Sequence, residues 1–256
     1  METAQLLQDL TPAQLQAVTH RDGPMLVVAG AGSGKTRVVT RRLAWLISQG
    51  IWPEQILAMT FTNKAAREMR ERVESLTGHQ MRNLGTFHGL CARFLRCDIE
   101  KGNSGLNRNF VIYDDSEQLA VLKSCVAELE LASFSIPLKQ VASIISDSKN
   151  NLCSVADCIS KLGFCPHAEI FERICKRYEA KMRQLNAVDF DDLLYLTVLL
   201  LQQNPALLEI YQNRLRYLLI DEYQDTNHAQ YIILKKLAEP HGNICVVGDD
   251  SQSIYG

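Results

Sequence analysis

Short apolar runs alternate with helix-period patterns along the first third of the chain. Met25-Leu26-Val27-Val28 and Ile56-Leu57-Ala58-Met59-Thr60-Phe61 are continuous apolar runs, the pattern of strands buried on both faces. Thr11 as N-cap and Pro12 in the first turn predict a short helix over 10–19, with Leu15 and Val18 on one side. Val39, Leu43, Leu46 and Ile47 recur at helical spacing, and Gly50 provides the stop. Ala65, Met69, Val73 and Leu76 mark another helix, whose other face carries Lys64, Arg67, Glu68, Arg70, Glu71 and Arg72. A short strand around Leu84 to Thr86 leads into a helix with Leu90, Phe94 and Leu95 inward. Strand–helix alternation of this kind predicts an α/β fold, a parallel sheet with helices on both faces.

The pattern then changes. Residues 91–214 read almost wholly helical, with segments over Asp115 to Leu129, Ile136 to Ser146, His167 to Gln184 and Phe190 to Leu201, and no strand of the earlier kind. Alternation resumes with Tyr217-Leu218-Leu219-Ile220, a helix from about Asn227 to Ala238, and Ile244-Cys245-Val246-Val247. The expected organisation is one discontinuous α/β domain, 1–90 and 215–256, interrupted by an all-helical insertion domain, 91–214. Both α/β parts belong to one sheet because their strands carry polar candidate residues at their carboxyl ends, where ligands sit in open α/β sheets.

Composition adds little to this and excludes some classes. The formal net charge is −2, so no global basic field announces nucleic acid, and any such partner must be held by a local groove. The longest apolar run, around Leu193 to Leu201, is far short of the ~20 residues needed to cross a bilayer, so no membrane partner is expected. The N-terminus, Met1-Glu2-Thr3-Ala4-Gln5, lacks a secretory pattern. The eight cysteines have no paired spacing and read as reduced thiols of a cytoplasmic protein. Cys153, Cys158, Cys165 and His167 fit no zinc pattern, since no close ligand pair closes a set.

The chemistry begins where the first strand ends. Ala29-Gly30-Ala31-Gly32-Ser33-Gly34-Lys35-Thr36 fits a phosphate-binding loop, with Ala29 where the stricter pattern has Gly. Small residues let backbone N–H groups turn toward phosphate oxygens, and the following helix points its positive end at the anion. Lys35 is then placed to reach the β- and γ-phosphates and Thr36 to ligate Mg²⁺. A second apolar strand ends in Asp221-Glu222, one carboxylate for Mg²⁺ and an adjacent one to accept a proton from an attacking water. Gln252, just past the last strand, is suited to contact the γ-phosphate.

In order and spacing these stretches resemble the superfamily 1 DNA helicases of the UvrD, PcrA and Rep type. Leu10-Thr11-Pro12-Ala13-Gln14 resembles the family's Q motif, AGAGSGKT (29–36) its motif I, and LAMTFTNKAA (57–66) its motif Ia. GTFHGLCARFLR (85–96) resembles the segment that follows, and DFDDLL (189–194) a string near the end of the helical insertion. LLIDEYQDTN (218–227) is similar to motif II and VVGDDSQSIYG (246–256) to motif III. The resemblance implies a RecA-like ATP-binding core (1A) interrupted by a helical domain (1B), acting as an ATP- and Mg²⁺-dependent helicase and single-strand translocase. It implies that Gln14 reads the adenine, that Arg37 lies by the nucleotide, and that Lys35, Asp221, Glu222 and Gln252 are catalytic.

It also implies a DNA face. Phe61, Thr62, Asn63 and Lys64 leave one strand, Phe87 and His88 leave the next, and Tyr255 follows Gln252. Aromatic platforms with a few phosphate contacts suit single strands. Phe61 and Phe87 read equally well as core aromatics. The implied partners are single-stranded DNA, single-strand/duplex junctions, accessory repair or replication proteins, and C-terminal helicase domains carrying the second face of the ATP cleft. Residues 246–256 end inside motif III, so the expectation is weak nucleotide binding, poor hydrolysis and no unwinding by these 256 residues alone. Two other readings remain open: a non-catalytic nucleotide-dependent DNA-binding module, and the motor half of a helicase–nuclease.

Overall fold

A computed structural model describes residues 3–30, 32–131, 136–161, 163 and 167–249. Its strands are β1 (Met25–Val28), β2 (Ile56–Thr60), β3 (Leu84–Thr86), β4 (Val111–Ile112), β5 (Ala187–Val188), β6 (Tyr217–Ile220) and β7 (Ile244–Gly248). Five of them form a sheet in the order β1-β7-β6-β2-β3, with every neighbour parallel. The chain divides into two compact units, one of residues 1–90, 205–226 and 233–256, which holds this sheet, and one of residues 91–204 and 227–232.

Position in the sheet decides how buried each strand is. All five residues of β2 and all four of β6 are buried, as their apolar runs predict. The apolar run of β1 predicts the same and is wrong on one face. Leu26 is 64% exposed and Val28 52%, while Met25 and Val27 pack against the core. The reason is that β1 lies at the edge, with β7 as its neighbour in the sheet. Order within a sheet is a tertiary fact that a run of valines does not encode.

The helices Lys35–Ser48 and Asn63–Thr77 cover the sheet through Val38, Val39, Leu43 and Leu46 from the first and Ala66, Met69 and Val73 from the second. Each fully buried aliphatic side chain contributes roughly 1.5–3 kcal/mol of transfer free energy. Helix Pro12–Thr19 starts on a reciprocal capping box between Thr11 and Gln14. Its C-terminal end is tied down by Arg42, whose guanidinium donates to the carbonyls of Ala17, His20 and Arg21. Helix Pro205–Arg214 groups with the sheet, although the sequence pattern placed 205–214 in the helical insertion. Leu207 and Tyr211 are buried there, and Gln212 Nε2 donates to the Lys236 carbonyl at 2.7 Å.

The second unit is built from helices Asp115–Glu128, Leu138–Asn151, Val155–Lys161, Ala168–Gln184 and Phe190–Gln203. Val121, Leu122, Val141, Ile144, Ile145, Phe171 and Ile174 form its core. It is not wholly helical: β4 and β5 pair in parallel, Val111 opposite Ala187. Two residues are too few to show a strand period, and pairing across that sequence distance is set by the fold. Beside β5 lies a buried polar cluster. Lys149 Nζ sits 2.6 Å from Asp189 Oδ2 and 2.8 Å from Asp192 Oδ1, and Tyr178 donates its hydroxyl to Asp189 at 2.8 Å. Burial opposes the Lys149 charge, but the two carboxylates outweigh it and hold the ammonium above the usual lysine range. Burial pushes Asp192 up to about 6 despite Lys149, whereas Lys149 keeps Asp189 below the usual carboxylate range. Asp189 also N-caps helix Phe190–Gln203, so the DFDDLL string starts a helix and buries a charge network in one stroke.

Candidate functional site

In a parallel sheet every strand ends on the same edge, and the sequence candidates follow those ends. The loop after β1 turns on Gly32 (φ 76°) and Gly34 (φ 85°), a left-handed backbone that side chains disfavour. A Cβ at Gly34 would also lie 3.1 Å from Gln14 Nε2. Ser33 Oγ donates to the Gly30 carbonyl at 2.7 Å, and the Ala29 N–H to the Gly248 carbonyl at 3.1 Å, anchoring the loop to β7. Helix Lys35–Ser48 begins on Gly34 without a side-chain cap, so its first N–H groups point into the loop. Ala31 lies outside the described residues.

Lys35 is mostly buried and already partnered. Its Nζ donates to the Ala29 carbonyl at 2.9 Å and to Asp249 Oδ2 at 3.0 Å. Thr36 is half-buried at the first turn. Arg37 Nη2 donates to the Asp9 carbonyl at 2.7 Å. Gln14 Nε2 donates to the Ser33 carbonyl at 3.0 Å while its Oε1 accepts from the Thr11 N–H at 3.1 Å. Gln14 is thereby bound to the loop that follows β1.

Asp221, immediately after β6, is 4% exposed. Burial first, and the neighbouring Glu222 second, push its carboxyl up to about 6, with Lys35 acting against them. Glu222 has a left-handed backbone (φ 54°), unusual for a non-glycine residue and a conformation of order 1–3 kcal/mol above the common ones. Gln224 Nε2 donates to Glu222 Oε2 at 2.7 Å, and Gln224 Oε1 accepts from the Asp249 N–H at 3.1 Å. In the sequence Gln224 and Asp249 stand only as members of the strings 218–227 and 246–256, with no role assigned to either. The available signal was that each falls within four residues of a strand end carrying a named candidate. Gln252 and Tyr255 lie outside the described residues.

The second cluster follows β2 and β3, which pair Thr60 opposite Thr86. Thr62 caps helix Asn63–Thr77 by accepting from the Ala65 N–H at 3.1 Å, and Asn63 and Lys64 are exposed beside it. Phe61 and His88 are half-buried. Phe87, which the sequence leaves open between core aromatic and DNA contact, is 1% exposed, with its ring 5.5 Å from that of Phe61. The sheet order thus places the phosphate-loop and carboxylate candidates at the β6-β7-β1 side and the aromatic and cationic candidates at the β3-β2 side.

The UvrD/REP helicase N-terminal domain matches residues 10–256. The chain belongs to that family. ATP-dependent DNA helicase PcrA of Bacillus subtilis (strain 168) is 45% identical over 98% of this chain, and PcrA of Staphylococcus aureus (strain Mu50 / ATCC 700699) is 42% identical over the same share. PcrA of Staphylococcus epidermidis is 41% identical. The chain spans about a third, 34%, of the length of these curated relatives. Among the described residues no single helix is long and apolar enough to cross a membrane.

Proposed function

We propose that this chain is the ATP-binding part of a DNA helicase and single-strand translocase, contributing one face of the ATP cleft and part of the single-strand track. The observation that carries the reading is that Lys35, Asp221, Glu222 and Asp249 follow three adjacent strand ends of one sheet edge. Family membership and the helicase activity named for the PcrA relatives support DNA as the substrate class.

The residues present fit a magnesium nucleotide. A cradle in which a Cβ at Gly30 or Gly32 would meet nothing within 4 Å leaves room for phosphates. A buried carboxylate that burial drives toward neutrality gains from a cation beside it. Thr36 and Asp221 would hold Mg²⁺, which neutralises phosphate charge when bound. The loop N–H groups and Lys35 bind and orient the phosphates. Glu222 orients a water for attack on the γ-phosphorus and accepts its proton, giving ADP and phosphate. Gln14 and Arg37 border the nucleotide, and Gln252 senses the γ-phosphate. Phe61, Thr62, Asn63, Lys64, His88 and Tyr255 contact the single strand. Sheet and helical units take the roles of the discontinuous core and the inserted domain.

The test is ATP hydrolysis with and without single-stranded DNA, beside a nucleotide-binding assay. The complete protein is expected to show DNA-stimulated turnover that Glu222→Gln abolishes, and the 256-residue chain to bind nucleotide with negligible turnover. DNA-stimulated turnover that survives Glu222→Gln, or a complete protein with no DNA-dependent turnover, overturns the reading.

A further inference from the structure

The carboxylate that must orient water is not held by its own backbone. Glu222 stands in a left-handed conformation, and its N–H is directed to Asp221 Oδ1 at 3.2 Å. Among the described residues the side chain hydrogen-bonded to its carboxylate is Gln224, at 2.7 Å. The other end of the same amide accepts from the Asp249 N–H at 3.1 Å, and the Asp249 carboxylate holds Lys35 at 3.0 Å. One planar amide therefore joins the strand end carrying Glu222 to the strand end carrying the lysine's partner. Gly248 leaves the space it occupies: a Cβ there would lie 3.0 Å from Gln224 Oε1.

We propose that Gln224 is a positioning residue, which fixes the Glu222 carboxylate by tethering it to the backbone of Asp249. An amide suits the task because it donates to a carboxylate and accepts from an N–H at once. A carboxylate in its place would repel Glu222, and an apolar side chain would leave both partners unheld. The consequence is that Glu222 and the resting partner of Lys35 keep a fixed relation while phosphates enter. This inference rests on the reading of Glu222 as the water-orienting group.

The test is a double-mutant cycle on single-turnover ATP hydrolysis in the complete protein, with nucleotide binding measured in parallel. Gln224→Met keeps the volume and loses both hydrogen bonds. It is expected to lower the rate by about 10- to 100-fold, the scale of a misplacement of roughly 1 Å, with nucleotide affinity unchanged. On the residual single-turnover rate of a Glu222→Gln background, measured over long incubation at saturating enzyme, it is expected to cost nothing further, because its effect runs through that carboxylate. Gln224→Glu preserves the bond to Asp249 but faces Glu222 with like charge, and is expected to fall at least as far as Gln224→Met. A residue that merely fills space leaves Gln224→Met near the parent rate, and one that only holds β7 gives the opposite order, with Glu milder than Met. An unchanged rate for Gln224→Met, an equal loss in the Glu222→Gln background, or Glu milder than Met each overturns the proposal. Wild-type turnover in Glu222→Gln itself overturns the reading of Glu222 instead. Should Gln224→Met fail to fold, Gly248→Ala displaces the amide by a few tenths of an ångström with every hydrogen-bonding group kept. Its severalfold loss must likewise vanish in the Glu222→Gln background.

Discussion

Replacing Lys149 by Met tests the buried charge cluster of the helical unit. The substitution keeps the apolar stem and removes an ammonium that lies 2.6 Å from Asp189 and 2.8 Å from Asp192, with 7% of its own side chain exposed. Asp189 keeps the Tyr178 hydroxyl at 2.8 Å, the Gln118 amide at 3.2 Å and the Asp192 N–H at 2.8 Å. Asp192 keeps the Asp189 N–H at 3.1 Å. The uncompensated charge therefore falls on Asp192. Breaking a buried pair from one side costs about 3–5 kcal/mol, a large part of the roughly 5–15 kcal/mol that holds a domain folded.

The sign with pH follows from the same groups. The raised pKa of Lys149 keeps the ammonium charged in both folded and unfolded chains between pH 5 and 7.5, so its own titration adds no pH dependence there. Asp192, already up at about 6, moves further up without Lys149, and the folded variant takes a proton that the unfolded chain releases. The deficit of Lys149→Met is thus expected to shrink from about 3 kcal/mol at pH 7.5 to less at pH 5. Urea unfolding followed by far-UV circular dichroism measures it. Both tryptophans, Trp45 and Trp52, lie in the sheet unit, so their emission reports that unit alone. A deficit under about 1 kcal/mol at pH 7.5, or one that grows on acidification, refutes the reasoning.

Two further predictions concern the sheet unit. Asp221 has a folded pKa raised from 3.8 to about 6, so stability falls as pH rises between those values and stays lower above them. Asp221→Asn should remove that loss, raising metal-free stability at pH 7.5 by about 2–3 kcal/mol, with no gain below pH 4; a urea midpoint equal to the parent's at pH 7.5 would falsify this. Phe87→Ala should cost about 3–5 kcal/mol as a buried aromatic truncation, read from the urea midpoint. Phe61→Ala should spare most of that stability yet weaken oligothymidylate binding by about 1–3 kcal/mol in fluorescence anisotropy. Equal stability losses for the two would contradict the assignment of Phe87 to the core.

What the sequence disclosed was local chemistry and local period. The loop from Ala29 to Thr36, the carboxylate pair after β6 and the helix start at Thr11 are written in consecutive residues, each with a physical reason at its own position. What it withheld depends on neighbours far along the chain. Leu26 and Val28 look like core until β1 is known to be an edge. Gln224 and Asp249 are 25 residues apart, and only the adjacency of β6 and β7 brings them together. Phe87 followed the same pattern as Phe61, and burial separates them. The β4–β5 pair is two residues long and invisible to any period.

The edge position of β1 has a mechanical meaning for the loop that follows it. The loop is a cantilever, braced laterally through β7, with the Ala29–Gly248 hydrogen bond at its root. Load placed on the loop by an entering phosphate passes into β7, the strand that leads to Asp249. Loosening the first few rungs of the β1–β7 ladder would soften the loop without touching a single residue that meets the ligand.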